Sequence, residues 1–224
     1  MKPQKDRRKS PKPGRGALFR RDFIHERQRG ATTYIVSEDY SYKTEAYYQI
    51  LGLGMEGRET IPSTRDLLDA YVVPLCLARA GKAGIPVCEW GISDEHVPLP
   101  SLLYGISYFA DPSEYSLVRD LETAAPVIKY ITGNGKYPFC YQPITETADI
   151  VTCVAIFGRT AGAPEPLAEL AEKVHRLFRI PLMGIVSVFN GEYRLSSITP
   201  VWYSTLSREE KGILGEILSG ECDG

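Results

Sequence analysis

Apolar positions along this chain alternate between strand and helix spacing. Thr32-Thr33-Tyr34-Ile35-Val36 is β-branched and aromatic, which predicts a strand ended by Ser37-Glu38-Asp39. Ala46, Tyr47, Ile50, Leu51 and Gly54 then fall on one face of a helix predicted over 44–54. Gly52 and Gly54 weaken that helix or permit close packing. Glu59-Thr60-Ile61 reads as a short strand, and Ser63 as an N-cap whose hydroxyl accepts from a first-turn amide. Leu67, Leu68, Tyr71, Val72, Leu75 and Cys76 carry an apolar face on to about Ala80. Pro74 must kink or divide that helix, because it has no N–H and its ring clashes with the preceding turn. Gly81 and Gly84 close it, and 85–89 reads as another strand.

The middle of the chain is less regular. Pro98, Pro100 and Pro112 punctuate residues 91–125, which are expected to form an irregular section with a short apolar patch at 101–109. Residues 125–131 read as a strand, Gly133-Asn134-Gly135 as a hairpin turn, and 136–142 as the returning strand. Periodicity sharpens again after 149. DIVTCVAIF at 149–157 is a buried strand, and Leu167, Leu170, Val174, Leu177 and Phe178 line one face of a helix over 164–178. Residues 182–189 form a strand, Asn190-Gly191 a hairpin turn, and 192–199 the return. Ser207-Arg208-Glu209-Glu210 is a capping box ahead of a last helix with Ile213, Leu214, Ile217 and Leu218 inward. The pattern predicts an α/β protein: a mixed sheet flanked by helices, in the order strand–helix–strand–helix–strand, then helix–hairpin–helix.

Charge divides the chain. Residues 1–30 hold 11 Lys/Arg against 3 acidic residues, so the rest carries a net charge of −10. With Pro3, Pro11, Pro13, Gly14 and Gly16 and almost no apolar periodicity, that segment cannot offset its ordering entropy by burial. It is read as a disordered basic tail that makes weak contact with polyanions. It lacks the apolar stretch of a secretory signal. Residues 31–224 are read as a single domain, and 43% hydrophobic content supplies its core. Five cysteines, an odd count with no C-x-x-C pair, favour reduced thiols and a cytoplasmic location. No apolar run approaches the roughly 18 residues that would suggest a membrane span.

The candidate chemistry concentrates at 40–65. Tyr40, Tyr42, Tyr47 and Tyr48 fall within nine residues, next to Lys43 and ahead of Arg58, Ser63 and Arg65. Phenols with cations suit a small-molecule or peptide carboxylate. The competing reading puts Tyr47 in the core and Tyr48 at its boundary, with Tyr40 and Tyr42 covering a helix start. Elsewhere the signals are weak. Gly133-Asn134-Gly135-Lys136 lacks the first glycine and the final Ser/Thr of a phosphate loop. His25, His96 and His175 are far apart, and Glu95-His96 has no second cluster to complete a metal site. Cys88 beside Glu89 is a core thiol, since a neighbouring acid raises a thiol pKa. No cofactor or metal is expected.

Tyr40-x-Tyr42, Ala46, Tyr47-Tyr48, Gly57 and Pro62-Ser63 resemble, in order and spacing, the amino-terminal domain found ahead of RimK-like ATP-grasp ligases. Ile156-Phe157-Gly158-Arg159-Thr160, Pro181-Leu182, Asn190-Gly191 and Leu206-Ser207 are also similar to that domain. The resemblance covers about 31–220 and is faint between 90 and 145. It implies a domain usually fused to a ligase that forms amides through an acyl-phosphate. The chain stops at Gly224, so a stand-alone copy working with a separate ATP-grasp ligase is expected. In the ligases, acidic and amide side chains hold Mg²⁺ late in the fold as Glu-x-Asn, whereas this chain reads Leu195-Ser196-Ser197-Ile198. The leading expectation is therefore a non-catalytic accessory domain that binds substrate or partner. The alternatives are a small amidoligase-type enzyme and a nucleic-acid-associated protein using the basic tail.

Overall fold

The computed structural model describes residues 23–107, 110–111 and 114–219. Its architecture is mixed α/β, with ten strands in three sheets and six helices among those residues. The first sheet holds β1 (Ile24–Arg29), β2 (Thr32–Ser37) and β3 (Glu59–Ile61), with β1 antiparallel and β3 parallel to β2. Between β2 and β3 runs α1 (Glu45–Met55), capped by Thr44, whose Oγ1 accepts from the Tyr47 amide at 3.3 Å. Ser63 caps α2 (Thr64–Tyr71) by accepting from the Asp66 amide at 3.2 Å. The predicted division at Pro74 occurs. Helix α2 ends at Tyr71, and α3 (Val73–Lys82) begins with Pro74 in its first turn, where a missing N–H costs nothing.

The second sheet is a meander of β8 (Asp149–Ile156), β9 (Leu182–Phe189) and β10 (Tyr193–Thr199), in spatial order β10-β9-β8. Helix α5 (Glu165–Phe178) joins β8 to β9 and packs with α2 and α3 on this sheet. Leu167, Leu170, Val174 and Phe178 of α5 meet Leu67, Leu77 and Ile198 there, in the largest core cluster. On the other side α6 (Arg208–Ser219) brings Leu214 to Val36, Ile156 and Leu182. Its capping box forms: the Glu210 amide donates to Ser207 Oγ at 3.1 Å, and the Ser207 amide to Glu210 Oε2 at 2.7 Å.

Six sequence expectations are corrected. The tail assigned to 1–30 ends earlier, since β1 pairs along its whole length with β2. Arg27 Nη1 also donates to the Ile217 and Leu218 carbonyls, at 2.5 and 3.0 Å, tying β1 to α6. Residues 1–22, where the rest of that expectation falls, lie outside the described residues. The strand expected at 125–131 is part of α4 (Leu121–Ile131), because Ala124, Val127, Ile128 and Ile131 repeat at helical spacing and bury together. Gly133-Asn134-Gly135 is consequently no hairpin turn. All three residues have positive φ and end α4, with the Asn134 amide donating to the Lys129 carbonyl at 2.8 Å.

The section at 91–125 is a sheet in its own right. Here β4 (Gly91–Ser93), β5 (Ser101–Gly105), β6 (Ser116–Val118) and β7 (Phe139–Pro143) stand in the order β4-β7-β5-β6. So 136–142 supplies a central strand rather than one arm of a local hairpin. Residues 85–89 make a single bridge, Val87 to Leu195, in place of a full strand.

Candidate functional site

Where β2 gives way to α1, the chain builds one wall of a cavity of about 300 Å³. Asp39 shapes the turn: its Oδ1 accepts from the Ser41 amide at 2.7 Å and its Oδ2 from the Ser41 hydroxyl at 3.2 Å. Tyr40 folds inward and is fully buried. Its hydroxyl accepts from the Ser37 amide at 2.8 Å and donates to the Ile35 carbonyl at 3.2 Å, which ties the turn to β2. Burial drives its pKa well above the usual tyrosine value, so it stays neutral. Tyr42 and Lys43 follow at the cavity, with Lys43 Nζ 5.4 Å from the centre of the Tyr42 ring. Tyr47, on the first turn of α1, completes this wall.

The opposite side comes from α2 and its junction with α3, through Leu67, Leu68, Tyr71, Val72 and Val73. Tyr71 places its hydroxyl out of solvent with no hydrogen-bond partner. Burial, and then the nearby Asp39 carboxylate, push its pKa far above the usual tyrosine value. A third side belongs to β5 and the segment after it: Tyr104, Gly105, Ile106, Ser107, Ala110 and Asp111. Tyr104 is anchored from behind. Its hydroxyl lies 2.6 Å from Ser196 Oγ, which itself donates to Gln142 Oε1 at 2.6 Å. Tyr104 is therefore the donor of the pair. Gln142 Nε2 returns a hydrogen bond to the Ser196 carbonyl at 2.9 Å. Three buried polar side chains thus satisfy one another behind the cavity.

Of the eight residues singled out in the sequence, Tyr40, Tyr42, Lys43 and Tyr47 converge on this cavity. The other four lie elsewhere. Tyr48 is 60% exposed and packs edge-on against Tyr47. Arg58 Nη2 donates to Thr33 Oγ1 at 3.0 Å and lies 3.7 Å from Glu26, on the first sheet. The Ser63 hydroxyl donates to Asp66 Oδ2 at 2.7 Å in its capping role, and Arg65 stands out in solvent near Asp69. Asp39, Tyr71, Tyr104, Ile106 and Asp111 were not anticipated. Only Asp39 is adjacent in sequence to the tyrosine cluster; the others reach it through the fold.

The remaining reactive groups are structural. The thiols of Cys88 and Cys140 are pushed up to about 12 by burial, so neither is a nucleophile at neutral pH. Among the described residues no group of three or more His, Cys, Asp or Glu could hold a metal ion.

No protein-family model matches the chain, and no curated protein matches it. Solved structures do. The RimK domain ATP-grasp protein of Sphaerobacter thermophilus superposes with a TM-score of 0.58 at 16% identity, over 79% of this chain and 75% of that one. D-alanine–D-alanine ligase of Bacillus anthracis gives 0.57 at 8% identity, over 74% and 69%. The ATP-grasp ligase PsnB, solved with a phosphomimetic variant of its minimal precursor, Mg and ADP, gives 0.50 at 13% identity, over 89% and 85%.

An ATP-grasp fold implies magnesium on the nucleotide phosphates. The residues of β10 do not fit it: Leu195, Ser196, Ser197 and Ile198 are all buried, and Ser196 is committed to Gln142 and Tyr104. Hydroxyls without a carboxylate make a poor site for so hard a cation.

The likeness also corrects the leading functional expectation. A non-catalytic accessory domain would align with one part of a ligase, whereas this chain matches two-thirds or more of each of these chains. What the comparisons establish is the architecture: the chain folds as ATP-grasp proteins do.

Proposed function

We propose that this chain is an amidoligase-type enzyme built on the ATP-grasp fold, with the cavity at Asp39–Lys43 as its substrate site. The observation that carries the proposal is the extent of the superposition on ATP-grasp ligase chains. Within that reading, the Tyr40–Ser63 segment is the RimK-like element of the fold, and it serves as a wall of the substrate site. The reaction joins a carboxylate to an amine. ATP transfers its terminal phosphoryl group to the carboxylate and leaves as ADP. The amine then attacks the acyl carbon, the C–N bond forms as the C–O bond to phosphate breaks, and phosphate departs with the ammonium's proton released to solvent. Lys43, held over the Tyr42 ring, is the cation suited to the carboxylate before its activation. No step is assigned to a metal, in keeping with the donors on β10. The buried, unpaired state of Cys76, Cys88 and Cys140 suits a reducing cytoplasm.

The test is ADP release by the purified chain with ATP and magnesium, across a panel of amino acids and short peptides offered singly and in pairs. The expected result is ADP formation that requires both a carboxylate and an amine. Lys43→Ala should slow it by about tenfold or more, the scale of one charge-assisted hydrogen bond. ADP release no faster than in buffer for every pair would sink the proposal.

A further inference from the structure

The lining of the cavity says what body its carboxylate carries. Resting on the ligase reading above, we infer that the cavity takes a carboxylate whose remainder is uncharged and apolar, the size of a short alkyl chain or one phenyl ring. Neither acid of the lining is spare for a cation. Asp39 accepts from the amide and the hydroxyl of Ser41, and Asp111 also keeps a partner within the fold. The tyrosine hydroxyls are turned elsewhere. That of Tyr40 is held by the Ser37 amide and the Ile35 carbonyl, and that of Tyr104 by Ser196. That of Tyr71 is shielded from solvent, so a ligand filling the cavity does not reach it either. These residues offer a ligand ring carbon rather than hydrogen bonds. The carboxylate itself stays with Lys43, as proposed above.

Apolar surface, by contrast, lies open. Leu68 and Val72 line the cavity on the α2 side and are 43% and 36% exposed. Ile106 continues that surface on the β5 side. Apolar area left facing water is recovered when an apolar group covers it, and a charged group does not recover it. A second charge on the ligand would lose its hydration and find no opposite charge left over, since Lys43 is taken by the first carboxylate. The walls also hold their shape, because Tyr40 is tied to β2 and Tyr104 to the Ser196–Gln142 pair. About 300 Å³ is the lower end of small-molecule sites, which suits a single phenyl or short alkyl group rather than a folded peptide.

Hexanoate, adipate and 6-aminohexanoate share one carbon chain and differ only at its far end, which is apolar, anionic or cationic. Each is titrated calorimetrically into the full chain without ATP. Hexanoate is expected to bind, with both charged probes weaker by about tenfold or more, the scale of leaving one charged group without its hydrogen bonds. From butanoate to hexanoate, each added methylene should tighten binding about fourfold, the yield of burying one methylene. Leu68→Lys sets an ammonium on the open apolar wall. It should bring adipate level with hexanoate or past it while leaving the melting temperature in place, since Leu68 is not part of the buried core. The idea is overturned if either charged probe binds the unmodified chain as tightly as hexanoate, if chain length makes no difference, if none of the probes binds, or if a folded Leu68→Lys keeps the original ranking. Should Leu68→Lys fail to fold, the ranking on the unmodified chain still decides. Because no nucleotide is present, hexanoate binding without ADP release in the assay above would remove the ligase reading and leave this site standing. ADP release without hexanoate binding would do the reverse.

Discussion

Ser196 sits where the register of β10 against β9 shifts, between Leu195 and Ser197. A bulge at such a point re-aims a side chain, and here it turns the Ser196 hydroxyl toward Tyr104 and Gln142. The consequence reaches the cavity, because Tyr104 is one of its walls. Ser196→Ala would strand the Tyr104 hydroxyl and Gln142 Oε1 together, in a region closed to water. The expected cost is about 2–4 kcal/mol, for two buried groups each left unsatisfied. Chemical denaturation of the variant measures it; a loss under about 1 kcal/mol, the scale of one ordinary hydrogen bond, would mean that water enters and satisfies both groups. The neighbouring Ser197 makes a useful contrast. Its hydroxyl is buried with no partner, so Ser197→Ala should be neutral or stabilising where Ser196→Ala is costly.

At the scale of elements, the second sheet and its helices were legible because each carries a strong single period. Helix α5 repeats its apolar residues at three and four, and β9 is an apolar run broken only by Ser187. The third sheet was not legible. Its strands β4 and β6 are three residues long, and β7 pairs with β5 and β4, which lie far back in the chain. No local window contains those partners. The same limit applies to the cavity: Tyr40, Tyr42, Lys43 and Tyr47 crowd one stretch of sequence, while Tyr71, Tyr104 and Asp111 are brought in by α2 and β5. Helix α5 also carries a pH-sensitive joint. His175 Nδ1 donates to the Ile180 carbonyl at 3.0 Å, packs on Gly158 and lies edge-on to Phe157. Burial, then the nearby Arg179 charge, hold its pKa below the usual value, while the Ile180 contact and Glu172 oppose them. The folded chain thus resists a proton that the unfolded chain accepts. Stability is intact above about pH 6.5, the unfolded value, and falls as pH drops from there toward the lower folded value. Urea unfolding at pH 7.5 and 5.5 should show this as up to about 1.4 kcal/mol per pH unit lost within that window. The His175→Asn variant should lose less between the two pH values, and an equal loss in both proteins would exclude His175 as the source.

For the whole molecule, the uneven charge matters more than the small net value. Residues 1–22 alone hold 9 Lys/Arg and 2 Asp, leaving the remaining residues at a net −9. A segment of that charge attracts polyanions, and the body that follows it repels them. Retention on heparin should therefore depend on residues 1–22, and so should its sensitivity to salt. The position of the cut decides whether the test is clean. Removing 1–30 would also delete β1, its pairing with β2 and the Arg27 contacts with α6, so lost binding could come from lost structure. Removing only 1–22 keeps all of these. The shortened chain is expected to melt with the full chain yet to pass heparin unretained. In solution, the affinity of the full chain for a polyanion should fall with log salt at a slope of about 0.9 per neutralised phosphate. Its slope should exceed that of the shortened chain, because the cations removed are those that displace counterions. Equal retention and equal slopes for the two chains would place the polyanion contact on the folded body, against its net negative charge.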